Sequence, residues 1–469
     1  MVASLSDEFN MAIKINQNLT AKKLLPKLER FFDLSGQKIL SIEEKWHTSK
    51  GTPVFTEKGQ YTTRGWTEWT QGFQFGSAIL QFDATGDDRF LDIGYKKTLK
   101  HMASHVSHIG VHDHGFNNIS TYGNLRRLMR EGKVPHHSRE MDFYELALKV
   151  SGAVQAARWT SIPGGGYIYS FNGPHSLFID TVRSLRVLAV GYQLGHSLMG
   201  EKDREISLLE RLVQHAQTTA EYCIYYGECR DHYDVLGRTA HESIFNLNDG
   251  SYRCPNSQQG YSPFSTWTRG LAWAICGYSE QLEFFVTLKD AELKTLGGRK
   301  KLNAMMLKSA KATADFYIQN SCLDGIPIWD TGAPNIHCMG SYLTKRSNPN
   351  NHYEPVDSSA ATIAAQGLIR LGNYLVNSGE KLAGSKYRQA GLTIAATLFD
   401  EPYLSTASKH QGLVLHSIYH RPNGWDYVPR GNKIPCGESS MWGDYHAREL
   451  ALMLLREARG ESYMTFFDY

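Results

Sequence analysis

At 469 residues, with 41% hydrophobic and 21% charged side chains, the chain can bury a large core and reads as a globular protein. A net charge of +3 with no long Lys/Arg run excludes a nucleic-acid arm, and no stretch approaches the length of a membrane span. Residues 1–20 hold Asp7, Glu8 and Lys14 but no apolar signal core, and the seven cysteines are scattered without a CxxC pair; this predicts a cytoplasmic protein with no disulfide framework and no zinc site.

Residues 1–40 form an N-terminal extension or a first helix. Trp66-Thr67-Glu68-Trp69-Thr70-Gln71-Gly72-Phe73 precedes a helix that stops at Gly86. Over 142–159, Phe143, Leu146, Ala147, Val150, Val154 and Ala157 follow the three-to-four spacing of one helix face. Pro163-Gly164-Gly165-Gly166-Tyr167 is a tight loop, either approaching a ligand or simply connecting. An apolar segment closes at Gly195, the turn at Gly297-Gly298-Arg299 opens a helix over 301–317, and 347–354 is a polar surface loop. Helices follow over 359–371, closing at Gly372, and 445–455, closing at Gly460; residues 412–419 are the best strand candidate. Glycine just past a helix accepts the left-handed conformation that ends it. Repeated helix–Gly–helix units with no linker between them predict one all-α domain over 1–469, a solenoid or a closed ring of helical hairpins.

Two aspartates stand out: Asp113 in Val111-His112-Asp113-His114-Gly115-Phe116 and Asp180 in Leu177-Phe178-Ile179-Asp180-Thr181. A carboxylate in such apolar company is costly unless it is paired, hydrogen-bonded or used. Two acids in one pocket split their pKa values, which suits moving a proton at a sugar. Taken singly, Asp113 is better explained as a helix cap and Asp180 as the anchor of a buried hydrogen bond. The 25 Tyr, 20 Phe and 9 Trp suit either a carbohydrate cleft or a large helical core. Arg269 and Trp273 share a helix face, either to hold a carboxylate beside a ring or to stack for stability. Asp357-Ser358-Ser359 is an N-cap cluster, and Trp442-Gly443-Asp444 a close-packed helix start.

Together these segments resemble the unsaturated glucuronyl hydrolases, glycoside hydrolases that act on oligosaccharides left by polysaccharide lyases. The matching features occur in the family's order over roughly residues 66–455. They are Trp69-Thr70-Gln71-Gly72-Phe73, His112-Asp113-His114-Gly115-Phe116, Ile179-Asp180, Gln259-Gly260-Tyr261, Trp267-Thr268-Arg269-Gly270-Leu271-Ala272-Trp273, Asp357-Ser358-Ser359-Ala360-Ala361 and Trp442-Gly443-Asp444-Tyr445. The resemblance implies an (α/α)6 toroid with the site at one mouth, and neither a metal nor an organic cofactor. The chain departs from the family pattern in having Val182-Arg183-Ser184 for Met-Met-Asn, Gln258 for His, and no tryptophan near Phe171. These changes bear on substrate preference more than on the reaction.

The reaction that the resemblance implies is hydration. The nonreducing uronate carries a C4=C5 double bond as part of a vinyl ether. Protonation at C4 builds oxocarbenium character at C5, water adds there, and the hemiketal collapses with loss of the glycosidic bond. By resemblance Asp180 is the acid/base, and Asp113, by its charge, keeps the proton on it and orients substrate hydroxyls. Arg269 is expected to take the substrate carboxylate, with Trp69, Trp273 and His112 lining the pocket. His241, seventeen residues before Gln258, is expected to bind substrate with Ser257 and Gln259, or else to be a hydrogen-bonded core histidine. The substrate is an unsaturated uronic-acid oligosaccharide. The competing readings are an unsaturated rhamnogalacturonyl hydrolase, an inverting glycosidase in the same fold, and a silent glycan-binding toroid.

Overall fold

The computed structural model describes residues 12–65 and 68–468. Trp66 and Thr67 of the first aromatic segment, and residues 1–11 of the expected N-terminal extension, lie outside the described residues. The main helices, in chain order, begin with α1 (Ala21–Lys45), α2 (Gln71–Thr85) and α3 (Asp88–His101). The composite α4 joins His114–Asn118, a π turn at Ile119–Gly123, and Asn124–Arg130. Then come α5 (Ser138–Ala157), a composite α6 (Thr181–Ser184 and Arg186–Gln193), α7 (Leu208–Tyr222) and α8 (Thr268–Thr287). The last are α9 (Arg299–Gln319), α10 (Ser358–Asn377), α11 (Lys381–Leu398) and α12 (Met441–Arg459). The protein is predominantly helical, as its glycine punctuation predicts.

Burial divides these helices into two alternating sets. The even-numbered ones are buried on nearly every face, and their sequences are correspondingly rich in Ala, Gly, Ser and apolar residues. The odd-numbered ones bury one stripe: Leu24, Leu28, Phe31, Phe32, Ser35, Ile39 and Ile42 on α1 keep the three-to-four spacing of an amphipathic helix. Each even helix packs on the next, α8 on α10 and α10 on α12, and α12 also lies against α1 and α2. Close approach is bought with small residues; a Cβ on Gly72 would come within 2.2 Å of the Asn117 carbonyl oxygen.

The expected helices over 142–159, 301–317, 359–371 and 445–455 correspond to α5, α9, α10 and α12, each longer than the periodic run that signals it. Gly86 and Gly460 close α2 and α12 in the left-handed conformation. Gly372 does not stop a helix: it lies inside α10, where a Cβ would meet Gly384 and Arg388 of α11 at 2.7 Å, so it serves hairpin packing. Nor is 412–419 a regular strand. The N–H groups of Leu413 and Val414 donate to the Asp444 carboxylate instead of to a strand partner, and Val414 makes one isolated bridge with Leu404. The Pro163–Gly164 loop is a hairpin turn between Trp159–Ile162 and Gly165–Ile168, a plain connector.

The departure at Val182-Arg183-Ser184 belongs to the core. Arg183 is fully buried, pairing with Glu280 of α8 and with Glu449 of α12 at 3.2 Å. No helix is long and apolar enough to cross a membrane among the described residues.

Candidate active site

A small antiparallel sheet delivers part of the site. Its strands are Ser176–Phe178, Glu242–Phe245 and Tyr252–Asn256, with Glu242–Phe245 in the centre. The first strand runs straight into α6, and Asp180 sits at that junction after Ile179 N–H donates to the His241 carbonyl at 3.0 Å. The third strand ends at the loop bearing Ser257, Gln258 and Gln259. Asp113 arrives from the other side, as the residue before α4. Gly115, two residues on, lets α4 abut α6: a Cβ there would stand 1.9 Å from the Ser184 carbonyl oxygen. The glycine of the His-Asp-x-Gly-Phe segment therefore brings the two acids together.

Neither aspartate caps its helix; each occupies the capping position but makes no side-chain cap bond. Between them stands His112. Its Nε2 lies 3.2 Å from Asp180 Oδ1 and 3.8 Å from Asp113 Oδ1. All three side chains are buried. Burial raises the Asp113 carboxyl, and the neighbouring Asp180 charge adds to this, so that despite His112 and Arg158 it is pushed up to about 6. For Asp180 burial also pushes upward, but the hydrogen bond and charge of His112 outweigh it and hold the carboxyl below the usual range. The split of the pair is as expected in kind and inverted in direction, because His112 sits closer to Asp180.

Asp113, His112 and Asp180 line a pocket of about 900 Å³, including its open mouth. Trp69, Gln259, Arg269 and Trp273 line it too, so seven of the nine expected site residues converge. Trp69 stacks on Trp442 with ring centres 5.2 Å apart, and Trp273 packs on Phe116 at 4.8 Å. Aromatic walls with a few polar groups between them suit a sugar.

Two expected ligands, His241 and Ser257, are not among the residues lining the pocket. His241 Nδ1 accepts from the N–H groups of Gln258 and Gln259 at 2.9 and 3.2 Å, and burial drives its basicity down to about 3. It is a neutral core histidine that shapes the glutamine loop. Ser257 Oγ accepts from Gly260 N–H at 3.0 Å and shapes the same loop.

Arg269 lines the pocket with its guanidinium already engaged. It donates to the Ile418 and Tyr419 carbonyls, to Gln259 Oε1 at 2.8 Å, and to Asp357 at 3.3 Å, while lying over Trp267 and Trp442. Taking a substrate carboxylate would mean exchanging some of these bonds. Its geometry is that of a buried organiser that fixes Gln259 and contributes positive potential. Asp357 caps α10 through Ser359 N–H, as the N-cap reading has it.

Asn172, Tyr419, His420, Asn423 and Trp425 also line the pocket, and no sequence motif marks them. The last four come from an irregular segment before α12, whose proximity to Asp113 is a product of chain return. Arg158 was also unsigned: it donates to the Ile109, Tyr169 and Ser170 carbonyls and so ties together the loops carrying Asp113 and Phe171.

An aromatic pocket with two acids around one imidazole on a helical scaffold has the form of a carbohydrate-processing site. No protein-family model matches the chain. It is 24% identical over 392 residues to an unsaturated glucuronyl hydrolase of Formosa agariphila, covering 81% of this chain and 78% of that one. It is 23% identical over 402 residues to an unsaturated chondroitin disaccharide hydrolase of Streptococcus agalactiae, covering 83% and 82%. The crystal structure of the unsaturated glucuronyl hydrolase of Bacillus sp. GL1 superposes with a TM-score of 0.66 at 21% identity, over 91% of this chain and 95% of that one. The likeness to unsaturated glucuronyl hydrolases seen in the motifs thus extends over most of the chain.

Proposed function

We propose that this protein is a glycoside hydrolase that releases the nonreducing 4,5-unsaturated glucuronic acid from lyase-generated oligosaccharides, by hydrating the C4=C5 vinyl ether. The observation that carries the proposal is the pair Asp113 and Asp180 crowded around His112 at the foot of an aromatic pocket. Asp180 is the acid/base: it protonates C4, and its carboxylate then takes the proton of the water that adds at C5. Asp113 is the second acid of the site and orients substrate hydroxyls. Trp69, Trp273 and Trp425 give the sugar rings apolar faces, and Gln258, Gln259 and Asn172 its polar contacts. Arg269 steers the anionic uronate by its charge and holds Gln259 in place.

We read the alternating buried and amphipathic helices, with α12 packed on α2, as an (α/α)6 toroid forming one catalytic domain. Seven free cysteines fit a reducing, cytoplasmic setting. The relatives' names favour a glucuronyl over a rhamnogalacturonyl substrate.

The test is a lyase-made unsaturated disaccharide against its saturated counterpart. The conjugated double bond absorbs in the ultraviolet, so turnover should bleach it while the saturated sugar persists. Equal turnover of both would overturn the vinyl-ether mechanism in favour of an ordinary glycosidase, and binding without turnover would leave a glycan-binding protein.

A further inference from the structure

The hydration reaction needs a protonated acid at Asp180, yet the geometry around Asp180 favours its anion. We propose that His112 is a positioning residue that stores the proton of the acid: the proton rests on its Nε2 between the two aspartates and passes to Asp180 Oδ1 when substrate closes the pocket. This inference rests on the reaction proposed above.

Three observations carry it. The first is the nitrogen between the acids: Nε2 is 3.2 Å from Asp180 Oδ1, within hydrogen-bond reach, and 3.8 Å from Asp113 Oδ1, within ion-pair range, so a proton there is held by one buried carboxylate and attracted by a second. The second is the other end of the ring. His112 Nδ1 is buried and has no hydrogen-bond partner among the described residues. An imidazolium has two N–H donors, and here only Nε2–H faces an acceptor, so a proton leaves the ring toward a carboxylate through Nε2 alone. The third is rigidity. Gln155 Nε2 and Ser184 Oγ donate to the His112 carbonyl at 2.8 and 2.9 Å, and the ring lies between Phe171 and Phe178. It cannot swing away to find another partner.

The charged and titratable groups facing His112 are Asp113, Asp180, Arg158, His215 and His241. His215 and His241 are driven down to about 3 by burial and stay neutral. Arg158 acts against the imidazolium. Burial does too, but the charge of Asp113, with the hydrogen bond and charge of Asp180, more than compensates and raises the imidazole above its ordinary value.

The transfer balances. In the resting protein, His112 is the imidazolium and Asp180 the carboxylate. A bound sugar expels water, and an ion pair is less favoured in the drier site than the neutral pair of imidazole and carboxylic acid. The Nε2–H bond breaks and an Oδ1–H bond forms, with no change in total charge. Asp180 then gives this proton to C4 and regains one from the water adding at C5. After product leaves, the proton returns to His112.

The test is the pH profile of His112→Gln, which keeps a nitrogen donor near Nε2 but cannot carry a titrating proton. With the store removed, the remaining proton is held by carboxyls alone, so the alkaline limb should move to lower pH. The loss should be about tenfold greater near pH 8 than near pH 5. Added imidazole should restore alkaline turnover in His112→Ala. Independently of turnover, NMR of imidazole-labelled wild-type protein should show one histidine titrating above the ordinary value. That resonance should vanish in His112→Gln and move down in Asp180→Asn. A uniform loss across pH, or no such histidine, would reduce His112 to a wall of the pocket. If wild type spares the unsaturated disaccharide, the proposed function fails, while the NMR titration still decides where the proton rests.

Discussion

Asp180 and Asp113 differ less in burial than in their distance from one nitrogen, and that difference sets their protonation. Asp180→Asn keeps the shape of the side chain but can neither give a proton to C4 nor take one from water. Turnover of the unsaturated disaccharide should fall by about 10²–10⁴-fold while binding, followed by calorimetry, persists. Retention of more than about a tenth of the turnover would point to Asp113 as the acid. Asp113 makes a separate thermodynamic prediction. Its folded-state pKa is raised to about 6 from an ordinary value of 3.8, chiefly by burial. A group raised in this way contributes its stability fully below the unfolded value, and that contribution is lost as pH rises through the folded one. Above about pH 6 the buried Asp113 anion is therefore a burden. Asp113→Asn should melt higher than wild type at neutral pH, by on the order of 1–3 kcal/mol, with the gap closing toward pH 4. Thermal unfolding at several pH values measures this, and a pH-independent difference would mean that Asp113 is not desolvated as described.

At the scale of elements, the acids meet because α4 and α6 touch. Gly115 has no φ requirement; what it supplies is space, since any Cβ would collide with the Ser184 carbonyl. Gly115→Ala should cost about 1–3 kcal/mol by overpacking and push Asp113 away from Asp180. Turnover should therefore fall further than stability does, with the folded fraction measured by circular dichroism and activity by ultraviolet loss. If activity survives intact, the helices can part without disturbing the acids. The same logic explains why the motif glycines were readable in the sequence as a pattern but not as contacts. A helix–Gly–helix pause is a local signal, whereas Gly372 looks identical to a stop and instead lies mid-helix beneath Arg388.

Across the molecule, the last even helix returns to the first, and ion pairs join the two where they meet. Arg456 of α12 donates twice to Asp83 of α2, at 2.8 and 2.6 Å, and Arg127 of α4 lies 2.7 Å from the same carboxylate. The Asp83 side chain is wholly buried, and although burial pushes its carboxyl upward, the two arginines hold it well below the usual range. Asp83→Ala would leave two buried guanidinium groups short of a partner, at a cost of about 3–5 kcal/mol. Urea unfolding should show a lower midpoint with no loss of pocket chemistry in the protein that remains folded. A change under about 1 kcal/mol would mean that Glu131, also within 2.6 Å of Arg456, takes over the pairing.

What the sequence determined by itself was local. Helix periodicity, the capping chemistry at Asp357 and the glycine-spaced aromatic motifs depend on neighbours a few residues away, and all are recovered in the structure. Two acids in apolar settings were legible for the same reason, since a buried carboxylate is anomalous wherever it stands. The tertiary structure decided which groups share a field. The sequence has nothing to say about Tyr419, Asn423 and Trp425 reaching the same pocket as Asp113, some 300 residues earlier, because only the closing of the helices against one another brings them there. The same holds for His112: adjacent to Asp113 in sequence, it bonds to Asp180 instead. That choice shifts the two carboxyls in opposite directions, Asp180 down and Asp113 up, because electrostatics in a dry interior follows distance in space and not along the chain.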